Sequence, residues 1–419
     1  MRAAPNYGVS MVICSKRWQE GTMQSVCLCN SNIPWGGGEV WHLNAARSLA
    51  GRGWRVFMLC HPKSELYARA QQEKNVQCLP LALSRFSFLN PLTHRKLKAF
   101  FTQNKIRAVI MNLPSDLKAV GPAARAAGVK HVIYRRGSAL PVRNSALNRL
   151  LFGHVINRLI VNSAATLRLT LAANPHLIAQ ERISILPNGF DLAAFDQALA
   201  QAAPLPLPWK PTDNTLVLGT AGRLNKQKAQ HLLLELLALL HTPEDASLNN
   251  NAGYLQPDVR LVIAGSGERE TELKELAQTL GVADRVFFAG FMDTLAPFWK
   301  ATDLFVLPSL WEGFGNVVIE AGLARKPVFA FAVSNLPELV TNAVNGRLFA
   351  VPEKERANCP GISADADSTG EDGLCAMAAA VRHLYSNPEE RKRMGEAGRS
   401  MALEYSQERC MDMLEKLLE

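Results

Sequence analysis

Short, nearly continuous apolar runs recur along this chain, and each is followed by a longer segment whose apolar positions repeat with a helical period. In the first half the runs are Val26–Cys29, Val56–Cys60, Ala108–Met111, His131–Tyr134, Leu159–Asn162 and Ile183–Leu186. In the second they are Leu216–Thr220, Arg260–Ala264, Val286–Ala289, Leu304–Leu307, Val328–Phe331 and Arg347–Phe349. Runs lacking a polar face are what parallel strands look like when helices cover both sides. Their alternation with helical segments predicts βαβ units. Between the two sets lies QAAPLPLPWKPTDN (201–214), whose four prolines cannot pair in a sheet and read as a linker. The pattern predicts an α/β protein of two doubly wound domains facing a central cleft. Residues 1–22 form an extension before the first convincing strand, 23–200 the first domain and 215–387 the second. The stretch 388–419, rich in helix formers, is expected to pack back on the first domain. Ligands of such sheets bind beyond the carboxyl ends of the strands, here in the cleft.

Composition changes this picture little. At 419 residues the chain is too long for one core, and 48% apolar with 20% charged residues is ordinary for a soluble globular protein. No window approaches the roughly 18 uninterrupted apolar residues of a membrane span, and the opening residues hold too short an apolar run for a secretory signal. The eight cysteines form no C-x-x-C pair, which points to a reduced, cytoplasmic protein without a zinc or disulfide framework.

Charge changes it more. Residues 1–200 hold 25 Lys+Arg against 8 Asp+Glu, a balance of +17, whereas residues 201–419 hold 21 against 29, a balance of −8. Such asymmetry points the first half at something anionic: a membrane surface, an anionic acceptor or nucleic acid.

The stretch Leu304–Leu323 carries the most chemistry. An apolar strand runs into a turn with Glu312, Gly313 and Gly315 flank Phe314, and a helix follows with a second carboxylate, Glu320, four residues after Asn316. The first turn of a helix has N–H groups without intrahelical partners, and these with the positive helix end favour phosphate. A carboxylate one turn deeper can accept hydrogen bonds from a sugar diol. Taken alone, the same stretch also reads as an ordinary buried β–α unit.

Four other turns sit at strand ends. Pro34-Trp35-Gly36-Gly37-Gly38-Glu39 opens a helix after the first strand, and Gly222-Arg223-Leu224-Asn225-Lys226-Gln227-Lys228 follows Leu216–Thr220. Arg223 as a fork and Lys228 as a point charge could stabilise a departing diphosphate. Ala264-Gly265-Ser266-Gly267-Glu268 lacks the third glycine of a dinucleotide fingerprint, so NAD binding is not expected. Leu186–Asp191 is a tight turn before the linker. Asp365-Ala-Asp367 resembles a metal-binding D-x-D by letter only, because it follows no strand, and no metal is expected.

Taken in order, these motifs resemble retaining glycosyltransferase family 4 (glycosyl transferases group 1), whose GT-B fold has two Rossmann-like domains. The likeness rests on Gly36–Glu39, Val161-Asn162-Ser163, Leu186–Asp191, Gly222-Arg223-Leu224 with Lys228, Gly265–Glu268, Phe288-Ala289-Gly290, and Pro308-Ser309 leading to Glu312 and Glu320 at the family's E-x7-E spacing. The resemblance implies that Arg223 and Lys228 bind the donor diphosphate, that Glu320 holds the nucleotide ribose, and that Glu312 lies beside the donor sugar. It implies amide contacts from Phe314, Gly315 and Asn316, with Gly265 also in the donor site and Gly37 or Gly38 at the phosphate. The chain departs from the family where Ala229 follows Lys228 in place of the usual glycine. A second departure is Arg136, next to Gly137, where members often carry histidine. Arg135 and Arg136 suit an anionic group on the acceptor.

The expected protein is a metal-independent retaining transferase, moving a sugar from a nucleotide-diphosphate sugar to a hydroxyl acceptor, with no further cofactor. The basic first half suggests a lipid-linked glycan or lipopolysaccharide core as acceptor, with the enzyme peripheral on the inner face of the cytoplasmic membrane. Nucleotide-sugar 2-epimerases and sugar-polymer synthases share the fold and are the nearest rivals. A non-enzymatic nucleic-acid binder is more remote, because the basic half lacks aromatics interleaved with its cations.

Overall fold

The computed structural model describes residues 24–84, 86–138, 140–241, 257–357, 359 and 373–419. The extension 1–22 and Asp365-Ala-Asp367 lie outside the described residues. The chain forms two compact units, Met1–Gly189 with Glu408–Glu419, and Phe190–Gln407.

The first unit is built on seven parallel strands, β1 (Ser25–Asn30), β2 (Arg55–Cys60), β3 (Val76–Pro80), β4 (Ile106–Met111), β5 (His131–Arg136), β6 (Arg158–Val161) and β7 (Ile183–Ile185). They lie in the order β3-β2-β1-β4-β5-β6-β7. Every residue of β1 is buried, the apolar run Val26–Cys29 together with the polar Ser25 and Asn30 that flank it. β3 is absent from the expected strands because Gln77 interrupts it and Pro80 ends it. It sits at the sheet edge, where proline is tolerated.

The second unit has six parallel strands, β8 (Thr215–Ala221), β9 (Asp258–Ala264), β10 (Val286–Gly290), β11 (Leu304–Leu307), β12 (Val328–Phe331) and β13 (Gly346–Phe349), in the order β10-β9-β8-β11-β12-β13. The order reverses between β1 and β4 in one sheet and between β8 and β11 in the other. At such a switch point adjacent loops leave in opposite directions and open a crevice at the carboxyl ends of the strands.

The stretch expected to link the domains belongs to the second unit. Leu205, Leu207 and Trp209 pack on its core, and Lys300 Nζ donates to the carbonyls of Ala200 (3.1 Å) and Ala202 (2.6 Å). The stretch from Pro388 divides in two. Helix Pro388–Ala402 packs on helix Asn316–Leu323 so closely that a Cβ on Gly322 would lie 2.7 Å from the Gly398 carbonyl oxygen. Helix Gln407–Leu418 buries Met411, Leu414 and Leu418 in the first unit, where Arg52 pairs with Asp412 at 2.6 Å and the Trp54 indole donates to Glu415 at 2.7 Å.

Candidate active site

In the second unit the turns after β8 and β11 meet across the switch point. Lys228 Nζ donates to Glu312 Oε1 at 2.6 Å, and both side chains are largely buried. The backbone around them is held by Leu310 N–H donating to the Gln227 carbonyl (2.9 Å), Gln227 Nε2 to the Trp311 carbonyl (2.9 Å) and Glu312 N–H to Ser334 Oγ (3.0 Å). Lys228 lies over Gly222, whose φ is +153° and whose hypothetical Cβ would meet Lys228 Cε at 3.0 Å. Arg223, on the same turn, is exposed and makes no ion pair among the described residues. Ala229 has φ +47°, a left-handed conformation that suits glycine better and gives a physical reason for glycine in the family pattern.

Gly315 caps helix Asn316–Leu323 with φ +74°, and a Cβ there would come within 3.1 Å of Leu336 Cδ2. Phe314 is buried, with its ring 5.9 Å from Tyr405 and its carbonyl accepting from Asn335 Nδ2 at 2.6 Å, so ring and carbonyl are both held within the fold. Glu320 lies one turn further along this helix beside the Trp299 indole. It keeps some solvent exposure, yet desolvation raises its carboxyl to about 7, and the neighbouring Trp299 side chain opposes the rise. Gly265 has a packing role of its own. With φ +134°, it sits where a Cβ would lie 2.0 Å from the Gly222 carbonyl oxygen, which is how the turns after β8 and β9 close on each other.

In the first unit the corresponding crevice is formed by the turns after β1 and β4. Helix Gly37–Gly51 begins at an extended Gly36, and a Cβ on Gly38 would lie 3.0 Å from Asn112 Nδ2. Asp116, fully buried, accepts from Ser31 Oγ at 2.5 Å and from the Leu113 N–H at 3.1 Å, tying the two turns together. Burial raises its carboxyl to about 6. Glu39 is buried and accepts from the amides of Asn30 and Asn32, each at 3.0 Å.

Arg135 and Arg136 are not brought together, because consecutive strand residues point to opposite faces. Arg135 is 1% exposed, stacks 4.2 Å over Trp41, and donates to Asn112 Oδ1 (3.3 Å) and Asn188 Oδ1 (2.7 Å). Burial lowers its guanidinium to about 9, and Glu39 opposes that shift. Arg136 instead donates to Thr170 Oγ1 at 3.0 Å and to the Leu140 carbonyl. Beside Arg135, His42 has Nδ1 2.9 Å from the Gly38 carbonyl, and burial followed by the Arg135 charge lowers it to about 3. It is therefore neutral, with Nδ1–H donating. Neither His42 nor Asn112 was singled out from the sequence. The available signals were a polar residue directly after the β4 run, and a histidine four residues beyond Gly38. Among the described residues no three His, Cys, Asp or Glu side chains gather as a metal-binding set.

Two parallel α/β units, each with a crevice at its switch point, define a class of doubly wound proteins whose ligands bind at the carboxyl ends of the strands. Residues 35–194 match the model of Glycosyltransferase Family 4, and residues 208–358 match that of Glycosyl transferases group 1. Together these cover more than half of the chain, which belongs to this glycosyltransferase family. A D-inositol 3-phosphate glycosyltransferase of Mycobacterium sp. (strain JLS) is 34% identical over 202 residues, 46% of this chain and 41% of that protein. The chain spans less than half the length of the curated relatives it matches first. The fold is that of Anabaena HepE, solved with UDP and glucose (TM-score 0.70, 19% identity, 94% of this chain and 99% of that one). It is also that of WaaG, a glycosyltransferase involved in lipopolysaccharide biosynthesis (TM-score 0.62, 16% identity, 94% and 99%).

Proposed function

We propose that the chain moves a sugar, with retention of configuration, from a nucleotide-diphosphate sugar to a hydroxyl acceptor, using its own cations rather than a metal ion to meet the departing diphosphate. The observation that carries this reading is the Lys228–Glu312 pair, 2.6 Å apart at the carboxyl end of the second sheet. An ammonium held by one carboxylate keeps further N–H donors for phosphate oxygens, and Arg223 adds an exposed fork on the same turn. The positive end of helix Asn316–Leu323 faces the same developing charge. Glu320 holds the ribose diol, and Glu312 lies beside the sugar. The acceptor hydroxyl attacks from the face that the diphosphate leaves.

A lipid-linked glycan or lipopolysaccharide core is the acceptor that the basic first unit fits, with the enzyme peripheral on the inner face of the cytoplasmic membrane. WaaG, a neighbour in fold, acts in lipopolysaccharide biosynthesis. No helix among the described residues is long and apolar enough to cross a membrane.

A thermal-shift series with UDP-, GDP- and ADP-sugars tests the donor, because a ligand bound only by the folded state raises the midpoint by mass action. UDP-glucose comes first, since HepE was solved with UDP and glucose. Arg223→Ala, on an exposed side chain, should leave the unliganded midpoint unchanged and cut both the donor-induced shift and transfer at least tenfold. A flat response to all three donors, or normal transfer by the variant, overturns the proposal.

A further inference from the structure

From Lys74 to Gln180 the sequence holds 16 Lys+Arg and a single acidic residue, Asp116. Asp116 is fully buried, so this stretch presents no carboxylate to solvent. In a parallel sheet every strand-to-helix segment leaves at the carboxyl edge. The segments after β3 and β5 therefore emerge on the same edge as the Gly37–Gly38 turn.

Large apolar side chains are exposed on these segments. After β3 the chain makes the turn Ser87–Leu89 and enters helix Pro91–Gln103, capped by Asn90 Oδ1 accepting from the Leu92 N–H at 2.9 Å. That helix buries Leu97, Phe100 and Phe101 on one face. Phe86, Leu89 and Leu92 are 64%, 67% and 65% exposed, and exposed Arg95, Lys96 and Lys98 follow directly. After β5, Leu140 and Leu150 are 50% and 54% exposed beside exposed Arg143 and Arg149.

We infer that this edge of the first unit docks on an anionic lipid bilayer, with Phe86, Leu89 and Leu92 entering the headgroup–acyl boundary and Arg95, Lys96 and Lys98 pairing with lipid phosphates. Apolar tips backed by cations, with no carboxylate among them, match a surface that is negative outside and apolar within. Single-stranded nucleic acid would call for stacked aromatics, and here leucines outnumber the one aromatic tip. The inference rests on the proposed membrane-bound acceptor and deepens it, because docking by this edge turns the Gly37–Gly38 end of the sheet toward the bilayer.

Flotation of the full chain tests this, with vesicles of phosphatidylcholine alone and of equal parts phosphatidylcholine and phosphatidylglycerol. The protein should float with the anionic vesicles only, and high salt should weaken the binding. Changing Arg95, Lys96 and Lys98 to glutamine should cost roughly a hundredfold in partition. Phe86→Ser with Leu89→Ser and Leu92→Ser should cost roughly tenfold or more. Phe291→Ser, on the equally exposed Phe291 of the second unit, should change nothing. Equal flotation with neutral vesicles, full binding by the serine variant, or tighter retention on RNA than on anionic vesicles overturns the inference. All variants should keep their donor-induced thermal shift. A wild type that shifts with donor but ignores vesicles refutes the docking surface alone, whereas one that responds to no donor refutes the transferase reading.

Discussion

Replacing Glu320 with glutamine should stabilise the protein at pH 8 and leave its stability unchanged near pH 4.5. Burial raises this carboxyl from 4.5 to about 7, so the folded chain retains a proton that the unfolded chain gives up near 4.5. A group with a raised folded pKa contributes its full stability below the unfolded value and loses it as pH rises through the folded value. About 2.5 pH units at roughly 1.36 kcal/mol each set an upper limit of about 3 kcal/mol. The partial exposure of Glu320 lets water screen the carboxylate and brings the observed figure below that limit. Glutamine has no proton to lose and keeps nearly the same shape beside Trp299. Urea unfolding at pH 5, 6, 7 and 8 should show the wild type weakening toward pH 8 while the variant does not. A difference between the two that is constant across pH would refute the reasoning. The same substitution should weaken donor binding above pH 7, because a carboxylate offers a ribose diol two acceptor oxygens and an amide only one. More stability with less affinity is what a side chain kept for a ligand should show.

Two further outcomes follow from the packing. Gly265→Ala would drive a Cβ to 2.0 Å from the Gly222 carbonyl oxygen at φ +134°, and it should lower stability by roughly 3 kcal/mol or more in a denaturant titration. A loss below about 1 kcal/mol would mean that these two turns are not locked together. Arg135→Leu should destabilise by roughly 3 kcal/mol, since the stacking on Trp41 goes and the Asn112 and Asn188 carbonyl oxygens lose a charged donor. His42, relieved of the neighbouring cation, should titrate above its present value of about 3 in an NMR titration. An unmoved His42 would show that burial alone sets it.

Twelve of the thirteen strands among the described residues were legible in the sequence, because a strand covered on both faces must be apolar throughout, and such a run is visible without any partner. β3 escaped because an edge strand tolerates Gln77 and Pro80. The glycine-bearing turns at the strand ends were legible for a related reason: glycines and cations directly after an apolar run stand out whatever the rest of the chain does. The sequence also placed Lys228 and Glu312 at strand ends. It could not pair them, because they are 84 residues apart and meet only through the strand order that sets β8 beside β11. Tertiary structure likewise decided the two arginines of β5. Both were assigned to an anionic group on the acceptor, but strand alternation sends Arg135 onto Trp41 and Arg136 toward Thr170. It also decided where the units divide, since the proline-rich stretch offers the second core enough apolar side chains to be taken into it. Local pattern thus settles which segments are strands, helices and glycine-bearing turns, because those depend on neighbours along the chain. Which side chains share a crevice depends on strand order and burial, and no local pattern contains those.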